Sequence, residues 1–426
     1  MSSSLHIGHP RSESMRQPVR AKAWRVIHAC EYARDVLPVV EGQISAGMRP
    51  FIVTPQGAGT AELYLSGKRQ EDGRSLSLLR SWQDVRNWRK SLLDCAPEVS
   101  SDLVHTHCFA AGMAGVRSCS CVVYDLRACI EEMAISAQLC EHGSWMARSF
   151  RVAEQFVLSR AAAIIVHSQG MKQAALERGA AAENTFLVPD PIEGEEEPSL
   201  FPDMDFLARR YGLTEDTVSF FVPQFAPEGA TELSRAAISA LEGFALASNE
   251  LPLFSLLLDA PESARKAINE HTGRLGIAGH VSLVHQLDAP ATMQCAHVVI
   301  ALGETPTDPV AAHLPNEICL KSLWQGKTLL AADVPCNRDA SPDGRGCLWF
   351  EANNPRDLGY RMAFLGRKPE FRAALGVAGR MYVFETRNQK VIGEKYDEAY
   401  RHAANRKKSG SIGPKVMNME PAENLG

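Results

Sequence analysis

Three observations predict an α/β fold built in two halves. Short apolar runs of strand length alternate with longer segments whose apolar residues recur at helical spacing, the pattern of parallel sheets covered on both faces. At 426 residues the chain exceeds one ordinary core, so two units of about 150–200 residues each are expected. The alternation is interrupted at 193–202 by EGEEEPSLFP, whose acidic and proline-containing character reads as a linker.

The first half opens with the β-type run WRVIHAC (24–30). A helix follows over 31–50, with Val36, Val39, Val40 and Ile44 on one face, and FIVTP (51–55) completes a right-handed βαβ unit. DLVHTH (102–107) and CVVYDLR (121–127) are the next strands, separated by the small-residue helix CFAAGMAGVRS. One long helix is expected from Ile130 to Ser159, then the strand AAIIVHS (162–168), a helix ending at Gly179 and a strand in NTFLVPDPIE (184–193). Residues 70–100 resist assignment beyond a helical SLLRSWQDVRNWRKSLL, its tryptophans read as core.

The second half repeats the alternation through VSFFVP (218–223), a helix over 230–247, LFSLLLD (253–259), a helix over 261–274, HVSLVHQ (280–286) and HVVIAL (297–302). NEICLKSLWQG then reads as a helix before the strand-like KTLLAADVP (327–335). Ile318, Leu320, Leu323 and Trp324 form its apolar face, and Gly326 is its C-terminal stop. LWFE (348–351) and helices over 355–366, 369–381 and 388–404 close the chain. The expected organisation is a disordered leader at 1–23, a first unit at 24–193, a linker at 194–205 and a second unit at 206–387. A closing helix at 388–405 is free to cross back to the first unit, and a disordered tail covers 406–426.

Composition narrows the function. The hydrophobic share of 45%, the charged share of 22% and the net charge of −5 describe an ordinary globular protein without a nucleic-acid footprint. No apolar run approaches the ~18 residues of a membrane span. The N-terminus has no apolar signal core. Eleven scattered cysteines, with Cys119 and Cys121 as the close pair, suit reduced thiols in a cytoplasmic protein. No metal and no cofactor are expected. Motifs for acyl hydrolases, P-loop enzymes, dinucleotide dehydrogenases and zinc proteases are absent.

A loop, a helix start and two flanking strands, as around NEICLKSLWQG, suit an anionic ligand, because helix-start N–H groups lack intrahelical partners. His105 and His107 share one face of their strand by alternation, near the end that faces a ligand crevice. Two readings stand for them, crevice lining and packing.

The stretch around Gly326, KSLWQGKTLLA, resembles the donor segment EAMACGxPVVA of GT-B glycosyltransferases of the family 4 type. VYDLRACIEEMA (123–134) is similar to VYEVRGxWEE of a bacterial subgroup tied to exopolysaccharide assembly. EQFVLSRAAAIIVHSQGMKQAALERGAAAENTFLVPDPIE (154–193) and ADVPCNRDASPDGRGCLWFEANNPRDL (332–358) also track family segments. The resemblance implies two Rossmann-like domains facing a central cleft, and sugar transfer from a UDP-, GDP- or ADP-sugar to a glycan acceptor, with retention. It also exposes departures. Lys321 and His313 stand where the motif's two Glu residues belong, and Gln224, in VPQFAPEG (222–229), stands where an Arg that holds the diphosphate is expected. The neighbouring Lys has no counterpart.

The implied donor-side set is Gln224, Gly229, Pro315, Asn316 and Lys321, and the implied catalytic set is His313, Lys321, Glu317 and Arg127. His107, Arg127, Glu131 and Glu132 form the acceptor side. On the bare residues, Lys321 also reads as a solvated helix face, and Arg127 with Glu131 as an i,i+4 ion pair. Two functions follow: a transferase with a remodelled donor site, or a non-catalytic relative that serves glycan assembly as partner, regulator or sugar-binding module. A peripheral membrane contact and a protein partner are compatible with either.

Overall fold

Apolar strands of three to six residues cannot bury both faces alone, and the chain resolves this with two sheets flanked by helices. The structure, a computed structural model, describes residues 24–30, 36–45, 47–54, 57–60, 81–99, 101–192, 208–214, 216–250, 253–303, 313–314 and 316–409. The leader, the linker, Pro315, residues 70–80 and the tail beyond 409 lie outside these.

The first half runs β1 (Arg25–Ala29), α1 (Leu37–Ser45), β2 (Arg49–Thr54), β3 (Gly57–Thr60), α2 (Ser81–Val99), β4 (Leu103–Thr106), α3 (Phe109–Ser118) and β5 (Val122–Leu126). It continues with α4 (Ile130–Ser136), α5 (Trp145–Arg160), β6 (Ala163–Val166), α6 (Gln169–Glu177) and β7 (Thr185–Leu187). The second half runs β8 (Val218–Val222), α7 (Arg235–Glu250), β9 (Phe254–Asp259), α8 (Arg265–Leu275), β10 (Val281–Val284), α9 (Ala289–Cys295) and β11 (Val298–Ala301). After these come α10 (Glu317–Trp324), β12 (Thr328–Ala332), α11 (Pro335–Ala340), β13 (Cys347–Phe350), α12 (Pro355–Arg367), α13 (Pro369–Arg387) and α14 (Gln389–Lys408).

Strand order is β3-β2-β1-β4-β5-β6-β7 in one sheet and β10-β9-β8-β11-β12-β13 in the other. Both are doubly wound, and every pairing is parallel except β2 with β3. Each sheet reverses its winding beside its first strand, between β1 and β4 and between β8 and β11. That is where such sheets open a crevice for ligands. The predicted α/β class therefore holds.

Some expectations need correction. The long helix from Ile130 to Ser159 is two, because Gly143 turns left-handed (φ +75°) and Ser144 starts a new helix, its side chain accepting from Ala147 N at 3.2 Å. β3 was not foreseen, and neither was α9. The closing helix runs on to Lys408, into the expected tail. Its basic last turn, Arg406 to Lys408, suits the negative helix end, and Arg406 donates to the carbonyls of Ala161 and Ala162 at 3.1 Å.

That last helix packs on the first sheet. Ile392, Tyr396, Ala399, Tyr400 and Ala403 are buried together with Trp24, Val26, Leu103, Val123 and Ile165. Trp88 on α2 joins the core on the other face, with Tyr124 and Val157. Gly326 ends α10 in the left-handed region (φ +68°), which a side chain would strain.

Candidate functional site between the two sheets

The loops that follow the strands of the two sheets meet. Ser168, two residues beyond the end of β6 at Val166, donates its hydroxyl to the backbone carbonyl of His313, in the segment between β11 and α10. The first two amides of α6, Gln169 N and Gly170 N, donate to the Asp339 carboxylate of α11 at 2.7 and 3.0 Å. The positive end of α6 and two free N–H groups make this a natural carboxylate seat. Gly170 permits the approach, since a Cβ there would stand 3.1 Å from the His313 carbonyl oxygen.

His313 itself reaches across. Its Nε2 is 3.1 Å from Glu132 Oε1, and Arg178 Nη2 is 2.6 Å from the same oxygen. The hydrogen bond to Glu132 raises the His313 pKa above the ordinary imidazole value. Burial pushes the Glu132 carboxyl up, but His313 and Arg178 together hold it below the usual range. Arg178 also faces Glu131 (3.9 Å) and Glu154 (3.6 Å). Glu154 is buried, and burial lifts its pKa to about 7 although it accepts from Ile130 N at 3.1 Å. The Glu131–Glu132 pair is thus tied to Arg178 and, through Glu132, to the second half.

Beside it lies a row of titratable side chains along the ends of β1, β4, β5 and β6. In each strand an apolar residue is followed two positions on by a polar one, Val26 and His28, Leu103 and His105, Val123 and Asp125, and, just past the end of β6, Ile165 and His167. The register sets His28 directly beside His105. Asp125 is the hub. Its Oδ2 accepts from His107 Nδ1 at 2.9 Å and its Oδ1 from His167 Nε2 at 2.7 Å, while Arg127 Nε lies 3.6 Å away. Burial opposes its charge, yet His167 and Arg127 hold its pKa well below the carboxylate range. Burial likewise works against protonated His167, but Asp125 and Asp190 prevail and raise its pKa. His28 is pulled down to about 3 and His105 and His107 are lowered, chiefly by burial.

The candidate residues separate cleanly. His313 and Glu132 touch, and Arg127 sits at the crevice, 37% exposed, with Nη2 3.2 Å from Asp190 Oδ1. Arg127 therefore pairs with Asp125 and Asp190, where an i,i+4 pair with Glu131 had been the bland expectation. His107 is only 3% exposed, with Nδ1 bound to Asp125 and Nε2 directed at His28 Nδ1 2.9 Å away, so it is closed off from an acceptor in the crevice. Lys321 lies in the last turn of α10 on an exposed face, 3.8 Å from Glu317. It is not at the helix start, and that geometry removes the basis for a phosphate contact there. Glu317 is itself 83% exposed. Asn316 caps α10, its Oδ1 accepting from Ile318 N at 2.9 Å and its Nδ2 donating to Asn337 at 2.7 Å. Gln224 is exposed in the left-handed region (φ +50°), with its backbone amide bound to Asp259 at 3.2 Å, and Gly229 (φ +79°) lies in the next turn, closed by Ala230 N on Pro227 O at 3.1 Å.

Residues 31–191 match the family model described as Glycosyl transferase 4-like domain. A glycosyltransferase from Rickettsia africae superimposes with a TM-score of 0.61 at 11% identity, over 90% of this chain and 99% of that one. Anabaena HepE, solved in complex with UDP, gives 0.59 at 16% identity, over 88% and 99%. Sucrose-phosphate synthase from Thermosynechococcus elongatus gives 0.51 at 14% identity, over 88% and 98%. The fold is GT-B. No curated protein matches the sequence. In GT-B terms, the row of histidines and acids belongs to the first Rossmann-like half, and α10 opens the second half's side of the crevice.

Sequence reading missed His28, Asp125, His167, Asp190, Arg178 and Asp339. The repeated placement of a titratable residue near each strand end was a usable signal for the first three. Nothing local marks Asp339 as a partner of α6. Among the described residues no helix is long and apolar enough to cross a membrane, and no disulfide joins the cysteines.

Proposed function

We propose that this chain transfers a sugar from a nucleotide donor to a glycan acceptor held between the two sheets, with a remodelled donor site, in the assembly of a bacterial surface or exported polysaccharide. The observation that carries the reading is the meeting of segments that follow strands of both sheets, Ser168 with His313 and the start of α6 with Asp339, with α10 starting beside them. The bond from the anomeric carbon to the donor's phosphate oxygen would break and its electron pair pass to the diphosphate. The acceptor hydroxyl oxygen bonds to the anomeric carbon and its proton goes to the departing phosphate. Negative charge grows on that diphosphate, so groups that favour anions lower the barrier.

Here those groups are the first amides of α10, His313 with its raised pKa, and Arg127. A hollow of about 560 Å³ at the ends of β9 and β10, lined in part by Arg210, Tyr211, Arg265 and His285, is large enough for a nucleoside. The UDP complex of the Anabaena relative makes uridine nucleotides the first to try.

A non-catalytic role has its own support. Gln224 replaces the expected Arg, Lys321 points to solvent, and Asp339 and Glu132 already occupy cations and amides at the crevice. Calorimetric titration of the full chain with UDP, GDP and ADP separates the two. Micromolar binding of one nucleotide, weakened at least tenfold in His313→Ala, supports transfer. Absence of binding at millimolar concentration rules it out in favour of the partner or sugar-binding role.

A further inference from the structure

We propose that His28, His105 and His107 form a three-nitrogen site for one zinc-type dication, buried under α14 at the junction of β1 and β4. One ring nitrogen of each histidine lies within 4.8 Å of those of the other two, close enough for a single ion to draw them together. The other nitrogen of each is held from behind: His28 Nε2 by Gln43 Oε1 at 2.8 Å, His105 Nδ1 by the Tyr400 hydroxyl at 2.9 Å, and His107 Nδ1 by Asp125 at 2.9 Å. Histidines that bind metal are oriented in this way, because a partner on the outer nitrogen fixes the tautomer that leaves the inner lone pair free.

Two further observations point to a ligand at the spot. His105 Nε2 is completely buried and has no hydrogen-bond partner, Asp125 Oδ2 standing 3.8 Å away. A buried polar atom of this kind needs an explanation, and an ion is one. Second, with Gln43's carbonyl on His28 and Asp125's carboxylate on His107, both inner nitrogens carry lone pairs, yet they face each other at 2.9 Å. A cation between them removes that repulsion. Zinc bound to imidazole at about 2.0–2.1 Å spaces its ligand nitrogens by about 3.4 Å, so the pair opens by about half an ångström. Without metal, the Gln43 amide turns over and a proton on His28 Nδ1 bridges to His107, leaving His105 Nε2 still unpartnered.

The site is independent of the donor reading and is structural in placement, tying β1, β4 and α14 together. Its test uses the full chain, expressed in zinc-supplemented medium and, separately, refolded with zinc or cobalt(II) alone. After gel filtration, elemental analysis is expected to give about one zinc per chain, and the cobalt form to show visible bands of a four- or five-coordinate ion. Metal-loaded protein melts at higher temperature than protein refolded with chelator. His105→Gln loses the metal, while Lys321→Ala keeps it. Tyr400→Phe weakens binding about tenfold, as removal of an outer partner does. Folded wild-type protein with less than about a tenth of an equivalent of metal, no cobalt bands and an unchanged melting temperature overturns the proposal. So does equal loading of wild type and His105→Gln. If His105→Gln does not fold, the wild-type stoichiometry and cobalt spectrum decide alone.

Discussion

The two sheets share a winding but treat their crevice edges in opposite ways. In the first, the strand ends carry His28, His105, Asp125 and His167, all buried, with Asp125 bound to His107 and His167, and His105 to Tyr400. In the second, Asn337 and Asp339 are buried, but three of the polar groups at the corresponding edge are exposed: Gln224 in its turn, Glu317 and Lys321 on α10. A buried ionisable group must be paired, because leaving one uncompensated costs several kcal/mol. The first edge is therefore rigid and sensitive to every partner it holds. The second edge relies on backbone amides and is tolerant of side-chain change.

Substitutions test that contrast. Asp125→Ala should have the largest effect, about 3–5 kcal/mol of stability, since it strips the acceptor from His107 and His167 and the counter-ion from Arg127. Urea denaturation measures it, and a loss below 1 kcal/mol would mean the row is not the keystone of the first sheet. Tyr400→Phe removes a hydroxyl that accepts from Gln43 at 2.8 Å and contacts His105, and should cost about 1–3 kcal/mol in the same assay.

Next in size is the pH dependence. His28, His105 and His107 have folded pKa values below the unfolded 6.5, so the unfolded chain binds more protons and stability falls as pH drops below about 6.5. His167 and His313, raised in the fold, work the other way: their contribution is full below 6.5 and lost as pH rises through their folded values. Glu154, raised to about 7, works in the same direction: its contribution is full below its unfolded 4.5 and is lost as pH rises through 7. Adding the lowered His297 and His402 leaves the destabilising set larger. Urea midpoints at pH 7.5, 6.5 and 5.5 should therefore decline, and a rise toward pH 5.5 would reverse the assignment.

The smallest effect belongs to the second edge. Lys321→Ala should change stability by no more than about 0.5 kcal/mol, as exposed i,i+4 pairs do. It should also leave nucleotide affinity, if any is measured, within about twofold. A large loss of affinity would return Lys321 to the donor site.

The alternation of apolar strands and helices, the helix from Glu317 to Trp324 and its stop at Gly326 were determined by the sequence alone, because period and punctuation are local properties. So was the shared face of His105 and His107, whose rings lie 4.1 Å apart. Tertiary structure alone decided the rest. It brought Asp339 to α6 across a separation of 170 residues, and Tyr400 to His105 across 295. It also turned Arg127 from Glu131 to Asp125 and Asp190. Such pairings depend on which strand ends the winding places side by side and which helix returns to cover them, and no local pattern encodes either.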